Sequence, residues 1–273
     1  MKEIIMKELR RILSKYGFKL LYFMLFIALW QVLVTIFSIK EFIIPSPIKV
    51  FSRLLVPEIA VKYNWPTNIQ ATFIEIILSF LVTGFSGIFI AIMVSWSEIL
   101  RKIIYPIIVF FNSIPKIAMA PLFLLWFGYG ILPNTLIAAT IAFFPVIINT
   151  DNGLNAVGDD LLDLVKYLHA SKWQLFIKIR IPNSLPYIFS GFKISATLCV
   201  VGSIVGEFIA CDRGLGYIIR DAQGLMDMAT MFASLFLISA MGLLFFFFIS
   251  LLERFVIPWR KYDEGETIWK DQV

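Results

Sequence analysis

Residues 72–96 read TFIEIILSFLVTGFSGIFIAIMVSW, a run in which Glu75 is the only charged side chain. A helix needs about 20 apolar residues to cross a hydrocarbon layer of roughly 30 Å. The run meets that length, and it is longer than the roughly 10 to 14 residues typical of helices in globular proteins. It therefore predicts a transmembrane helix.

The composition of the whole chain agrees with this stretch. Of 273 residues, 59% are hydrophobic and 16% charged, with a mean hydropathy of +0.85, whereas soluble domains carry about 25% charged residues. The net charge of +5 comes from basic residues at the ends of apolar runs and not from one patch, which argues against nucleic acid as a partner. The two cysteines, Cys199 and Cys211, fall in one apolar segment and are expected to be packing residues and not a disulfide.

Further apolar runs on both sides predict an all-α membrane protein of about six transmembrane helices. They are residues 20–37, 103–127, 132–150, 187–211 and 229–252. Pro115 and Pro121 predict a kinked or broken helix in the second of these. The proline-rich stretch 40–70 should lie outside the bilayer core, with a short surface helix near residues 48–55. The predicted organisation is a cytoplasmic lead 1–19, a membrane domain 20–260 and a cytoplasmic tail 261–273.

The distribution of Lys and Arg predicts the orientation. With a cytoplasmic N-terminus, the inside segments hold sixteen Lys and Arg residues and the outside segments six. The positive-inside rule then places both termini, and the long polar stretch 151–186, in the cytoplasm of a multi-pass protein of the cell membrane.

The sequence lacks the residues that an enzyme of this size would need. There is one histidine, and no set of metal-spaced ligands or nucleophile turn is visible. Gly153 and Gly158 have phosphate-loop spacing, but Asp159 and Asp160 stand where Lys and Ser or Thr are required. No catalytic residue, cofactor or metal site is predicted, and any ATP must be bound by another chain. An ion-coupled carrier would need paired carboxylates or inverted repeats near the midplane, and no internal repeat is found.

The stretch 159–182, DDLLDLVKYLHASKWQLFIKIRIP, predicts two short amphipathic helices at the membrane surface. Asp159 and Asp160 suit the start of the first helix, and Ser171 can cap the second. Such a pair exposes an apolar ridge, which either packs on the ends of the membrane helices or enters a groove on a partner.

This stretch resembles the coupling loop of binding-protein-dependent ABC import permeases, with the pattern E-A-A, three residues, Gly, nine residues, I-x-L-P. Short tags elsewhere, between about residues 40 and 260, resemble the aliphatic sulfonate, nitrate and taurine branch: IPSP at 44–47, SIP at 113–115, APL at 120–122, LWFG at 125–128, GFKI at 191–194, GE at 206–207 and GLGY at 214–217. Their order and spacing indicate this family and a type I importer fold.

The resemblance implies a set of residues that couple the chain to its ATPase: Asp163, Leu164, Val165, His169, Ala170, Ser171, Ile179, Ile181 and Pro182. His169 replaces the glycine of the pattern, and it is either a plain turn residue or a pH sensor. The implied partners are two ATP-binding-cassette subunits, a second permease copy, an extracytoplasmic solute-binding protein and membrane lipid. The implied solute is a sulfonate, nitrate or taurine, or alternatively a thiamin-pyrimidine or riboflavin-type precursor.

Two ionisable residues lie deep in apolar runs, Lys116 and Glu207. Either they line the translocation path, or they pair across helices or reach an interface. Glu207 is expected to be desolvated and held by a partner. Glu75 and Lys193 lie nearer span ends, where they could snorkel. Gly202 and Gly206 form a G-x-x-x-G face expected to serve packing within the chain.

Overall fold

The computed structural model describes residues 21–259, and every regular element within that range is helical. The predicted lead 1–19 and tail 261–273 lie outside the described residues. The helices are α1 (Leu21–Ile36), α2 (Pro47–Leu55), α3 (Pro57–Tyr63), α4 (Trp65–Trp96), α5 (Glu98–Ser113), α6 (Lys116–Phe127), α7 (Ile131–Asn155), α8 (Asp159–Tyr167), α9 (Lys172–Leu175), a π-helix (Phe176–Arg180), α10 (Ile181–Ala210), α11 (Leu215–Gly224) and α12 (Met228–Val256).

Four helical segments in the described part of the chain are long and apolar enough to cross a membrane. They are α4, α7, the continuous segment Lys172–Ile209 and α12. Helices α5 and α6 are together long and apolar enough to cross a membrane, but they are bent by 94° at the break between them. Helix α1 is also apolar, but it is shorter than these segments and is not one of the four. The predicted break near Pro115 is therefore confirmed.

Three prolines of the stretch 40–70 begin helices, and α2 confirms the short helix predicted near residues 48–55. Pro47 and Pro57 open α2 and α3, and Pro66 lies in the first turn of α4. The first turn has no intrahelical acceptor for its N–H groups, so a proline loses nothing there. Helix α4 consequently starts at Trp65, seven residues before the predicted span.

Helix α10 is the centre of the bundle and packs most extensively against α7. Gly191, Gly202 and Gly206 lie at this contact; a Cβ on Gly202 would fall 2.4 Å from the Cα of Ala138. The G-x-x-x-G face thus packs within the chain, as predicted. A core of Phe189, Ala196, Cys199, Val200, Phe245 and Ile249, with Ile76 and Ala142, joins α10 to α12, α4 and α7.

The two ends of the bundle carry different short helices. Residues from α2, α3, α11 and α12 share one apolar cluster, including Val50, Tyr63 and Ile218; we call this end the α11 end. Helices α8 and α9 lie at the opposite ends of α4 and α7, where Trp96 contacts Trp173; we call this the α8 end. Helix α11 itself was not predicted, because its glycines at 214 and 216 indicate only a turn.

Candidate functional sites at the two ends of the bundle

The coupling segment, residues 159–182, is held in shape by its turn. His169 adopts φ +51°, its N–H donates to the carbonyl of Lys166, and the N–H of Ala170 donates to the carbonyl of Val165. These two bonds form a Schellman motif, whose left-handed residue is usually glycine because it has no Cβ to clash. The structure therefore explains why the family pattern has glycine at this position, and it shows that histidine takes the same conformation here.

A capping box fixes the start of the second helix of the segment. The hydroxyl of Ser171 accepts from the N–H of Gln174, and the Gln174 side chain accepts from the N–H of Ser171. This reciprocal pair satisfies two donors that a helix start leaves free. The capping role predicted for Ser171 is confirmed.

The coupling segment has one face on the bundle and one in solvent. Val165 and Phe176 are buried, and the Trp96 ring lies 5.0 Å from that of Phe176, edge to face. Four large apolar side chains are left mostly uncovered by the bundle: Leu164, Tyr167, Leu168 and Trp173 are 52%, 82%, 65% and 62% exposed, and Trp173 touches the ring of Trp96 edge to face. We call these four the exposed ridge. The packing of one face on the helix ends is thus confirmed, and insertion of the other face into a groove on a partner stays a prediction.

The end of the coupling segment is continuous with a membrane helix. Ile179 lies in the π-helix, and Ile181 and Pro182 form the first turn of α10. The helix therefore begins before the predicted start of the fifth span near residue 187, because it continues from the π-helix through Pro182 and Pro186. Asp163 is exposed and pairs with Lys166 at 2.8 Å, which raises the pKa of that ammonium group.

Sequence reasoning missed an ion pair beside this segment. Arg101, at the start of α5, donates to Asp151 at 2.6 Å, and the Asp151 side chain is 6% exposed. Asn155, one turn further along α7, also donates to Asp151. The pair joins the start of the broken span to α7 at the α8 end. From the sequence, Arg101 could be interpreted only as a basic residue beside an apolar run.

Lys116 stands at the elbow between α5 and α6. Its ammonium group donates to the carbonyl and to the side-chain oxygen of Asn112, at 2.9 and 2.7 Å. No carboxylate pairs with it among residues 21–259. The structure does not bring Lys116 and Glu207 together, so those two do not pair with each other.

Glu207 is fully buried and holds the start of α11. One carboxylate oxygen accepts from the hydroxyl of Thr72 at 2.6 Å and the other from the N–H of Gly216 at 2.7 Å. Gly214 has φ +103°, and a Cβ there would lie 2.2 Å from the Glu207 carboxyl carbon. The expectation that Glu207 is desolvated and partnered is confirmed, and the two glycines make room for it.

Two more side chains of α4 cap the same helix start. Asn68 accepts from the N–H of Gly214 at 2.7 Å, and Thr72 accepts from the N–H of Leu215 at 2.9 Å. The free N–H groups at the start of α11 are thus satisfied by side chains from α4 and α10. We call this arrangement the α11 latch.

Glu75 lies beside the latch and is only 4% exposed, so the expectation that it snorkels was wrong. It accepts from Asn134 of α7 at 2.8 Å and lies three residues along α4 from Thr72, which donates to Glu207, so the two carboxyl groups lie side by side. Such a carboxyl pair was the feature sought for an ion-coupled carrier. In that pair, Glu207 lies three residues before the end of α10. Polar residues at helical spacing, Asn68, Thr72 and Glu75, are the signal that could have revealed this face of α4.

A cavity of about 490 Å³ opens next to Glu75 at the α11 end. Its polar lining comes from Thr67, Gln70, Glu75, Asp212 and Arg213. Within the described residues no group of His, Cys, Asp and Glu side chains is arranged to hold a metal ion.

Comparisons with known proteins cover most of the chain. A family model described as binding-protein-dependent transport system inner membrane component matches residues 84–261. The formylaminopyrimidine transport permease protein ThiX of Halalkalibacterium halodurans is 32% identical over 241 residues, covering 88% of this chain and 95% of ThiX. The putative aliphatic sulfonates transport permease protein SsuC of Bacillus subtilis is 30% identical over 239 residues, 88% of this chain and 86% of SsuC.

A solved structure has the same fold. A chain of the MetNI methionine ABC transporter, in an inward-facing conformation, superposes with a TM-score of 0.54 at 21% identity and covers 72% of this chain and 95% of its own length. The residues that the family model matches include the coupling segment, Lys116 and Glu207.

Proposed function

This chain belongs to the binding-protein-dependent transport system inner membrane components, and we propose that it moves a small organic solute such as a sulfonate, nitrate or taurine across the membrane. It is an integral membrane protein and the permease subunit of an ABC importer, a transport component and not an enzyme. The name of its relative ThiX supports the alternative solute class, a thiamin-pyrimidine or riboflavin-type precursor.

The exposed ridge supports docking of an ATP-binding-cassette subunit on the coupling segment. Four large apolar side chains on the ten residues 164–173 stand uncovered, while Val165 and Phe176 fix the segment from behind. An uncovered apolar ridge on a short helical hairpin suits insertion into a groove of a partner. We therefore assign ATPase contact to the ridge and to Ala170 and Ser171 at its turn. Asp163, Ile179, Ile181 and Pro182 hold the segment's shape.

The continuous helix from Lys172 to Ile209 supports transmission of that contact through the membrane. A packed helix moves as a unit, so displacement of α9 by the ATPase also displaces α10. ATP binding to the partner would then shift the population between inward-open and outward-open states by favouring one position of the segment. The permease itself breaks no bond.

The elbow supports a dimer with the path between two copies. Most of α5 and α6 is exposed in the single chain, including Phe110, Leu125 and Trp126. A two-fold pair would cover such a face with its own copy. Lys116 at the elbow then lines the path, and its unpaired ammonium group favours an anionic solute. Glu207, held in the α11 latch, is not assigned to the path.

The orientation follows from the basic residues. We assign the α8 end to the cytoplasm and the α11 end to the outside, where the solute-binding protein docks. This places Lys166, Lys172, Lys178 and Arg180 inside the cell.

Reconstitution tests the assignment. The permease is placed in proteoliposomes with the ATPase subunit and the binding protein encoded next to it. Uptake of a labelled alkanesulfonate and of a labelled aminopyrimidine is then followed. Uptake of one of them only with all three proteins and ATP is the expected result. Uptake by the permease alone would contradict the assignment as an ABC importer and would favour a channel or carrier.

A further inference from the structure

Two carboxyl groups are buried side by side near the α11 end, Glu75 at 4% and Glu207 at 0% exposed. Thr72, three residues before Glu75 on α4, donates to Glu207, and Asn134, which donates to Glu75, lies against Gly206 beside Glu207. Neither forms an ion pair with Lys or Arg among residues 21–259. Two adjacent anions without a cation are strongly unfavourable in such a site, so like carboxyl groups in contact retain a proton.

The two carboxyl groups differ in their hydrogen-bond donors. Both oxygens of Glu207 accept from donors, the hydroxyl of Thr72 and the N–H of Gly216. One oxygen of Glu75 accepts from the amide of Asn134, while its Oε2 has no donor. A buried oxygen without a donor is costly as an acceptor but is satisfied when it carries a proton and donates.

We propose that Glu75 and Glu207 bind one proton between them, carried by Glu75 Oε2 and donated to Glu207, and that this proton keeps α11 latched to α4 and α10. Loss of the proton leaves two carboxylates in contact. Their repulsion separates the pair and draws Glu207 away from the N–H of Gly216, so the start of α11 loses a cap.

Among the described residues 21–259, the neighbours of the pair offer no other neutralising group. From α7 the pair meets the uncharged Asn134, and from the loop before α11 it meets Cys211, which is buried. Asp212 and Arg213 are exposed on that loop, and Arg220 of α11 donates to the carbonyl of Cys211. The 490 Å³ cavity lined by Glu75 lets water reach the pair, so the proton can exchange with the α11 side.

Infrared spectroscopy of the full chain in lipid nanodiscs tests for the bound proton. At neutral pH we expect a carbonyl band of a protonated carboxyl group in the wild type that is lost in Glu75→Gln. The exposed Glu58→Gln is the matched control and keeps the band. A band of the same size in Glu75→Gln would overturn the proposal, and so would the lack of a band in the wild type whether or not sodium ions are present. If the wild-type band is missing only when sodium ions are present, the pair binds a metal cation instead of the proton.

Thermal unfolding tests the link to the latch. The native state holds a proton that the unfolded chain releases at neutral pH, so wild-type stability must fall as pH rises, by up to about tenfold in the unfolding constant per pH unit. Glutamine at 75 donates permanently to Glu207 and accepts from Asn134, so this variant should lose that pH dependence while remaining folded. Equal slopes for wild type and variant would contradict the proposal.

Discussion

At residue 169 the chain places a histidine where a helix commonly ends on glycine. Its positive φ of +51° is imposed by the two backbone bonds of the turn. Histidine tolerates this region better than most residues, and β-branched residues tolerate it least. The residue is also exposed, so it has no packing role that would require an imidazole.

The first prediction concerns this turn. His169→Gly should keep ATPase binding and uptake and should stabilise the turn by up to about 1 kcal/mol, whereas His169→Val should weaken both. Co-purification of the ATPase with each variant is the measurement. Equal retention with glycine and valine would show that the φ of residue 169 does not matter for docking.

The second prediction concerns Gly214 in the α11 latch. Gly214→Ala should destabilise the protein by about 1 to 3 kcal/mol, because alanine is strained at φ +103° and its Cβ would meet Glu207. Gly224→Ala is the control, since a Cβ there meets nothing within 4 Å. The melting temperatures of the purified variants give the comparison, and an unchanged value for Gly214→Ala would refute the latch geometry.

At the scale of elements, contact between α7 and α10 fixes the bundle, and glycines set how close the two helices lie. The third prediction is that Gly202→Ala costs about 1 to 3 kcal/mol, because its Cβ would overlap the backbone of Ala138. Gly242→Ala on α12 has only ordinary contacts with Val200, at 3.6 Å and beyond, and should be neutral or stabilising. Similar thermal stability of the two variants would show that α7 and α10 can move apart without cost.

The elements were largely predictable, and the polar contacts between them were not. Long apolar runs gave the spans, and the break near Pro115 followed from proline chemistry. Proline has two opposite local effects, starting a helix or ending one, and the sequence did not decide between them at Pro47, Pro57 and Pro66. The α11 latch joins residues more than 130 positions apart, such as Thr72 and Glu207, and a single sequence carries no signal for which distant helices meet.

At the scale of the molecule, orientation can be tested with two matched sites. Ile99 and Val61 are 71% and 81% exposed at opposite ends of the bundle, and the native cysteines are buried. A membrane-impermeant thiol reagent applied to intact cells should label Val61→Cys and leave Ile99→Cys unlabelled until the membrane is opened. The reverse pattern would invert the assigned orientation.

The central claim is that the coupling segment connects this permease to a separate ATPase. Ala170→Glu places a charge at the turn beside the exposed ridge, and truncating or blocking such a contact costs at least about 1 to 2 kcal/mol, roughly tenfold in affinity. Val61→Glu makes a similar change at the other end of the bundle.

The direct measurement is the amount of ATPase subunit that co-purifies with each variant, taken together with solute uptake in the same cells. The account predicts that Ala170→Glu inserts and folds normally but loses the ATPase and uptake, while Val61→Glu keeps both. Normal ATPase binding and uptake by Ala170→Glu would reduce the coupling segment to a surface linker and contradict the account.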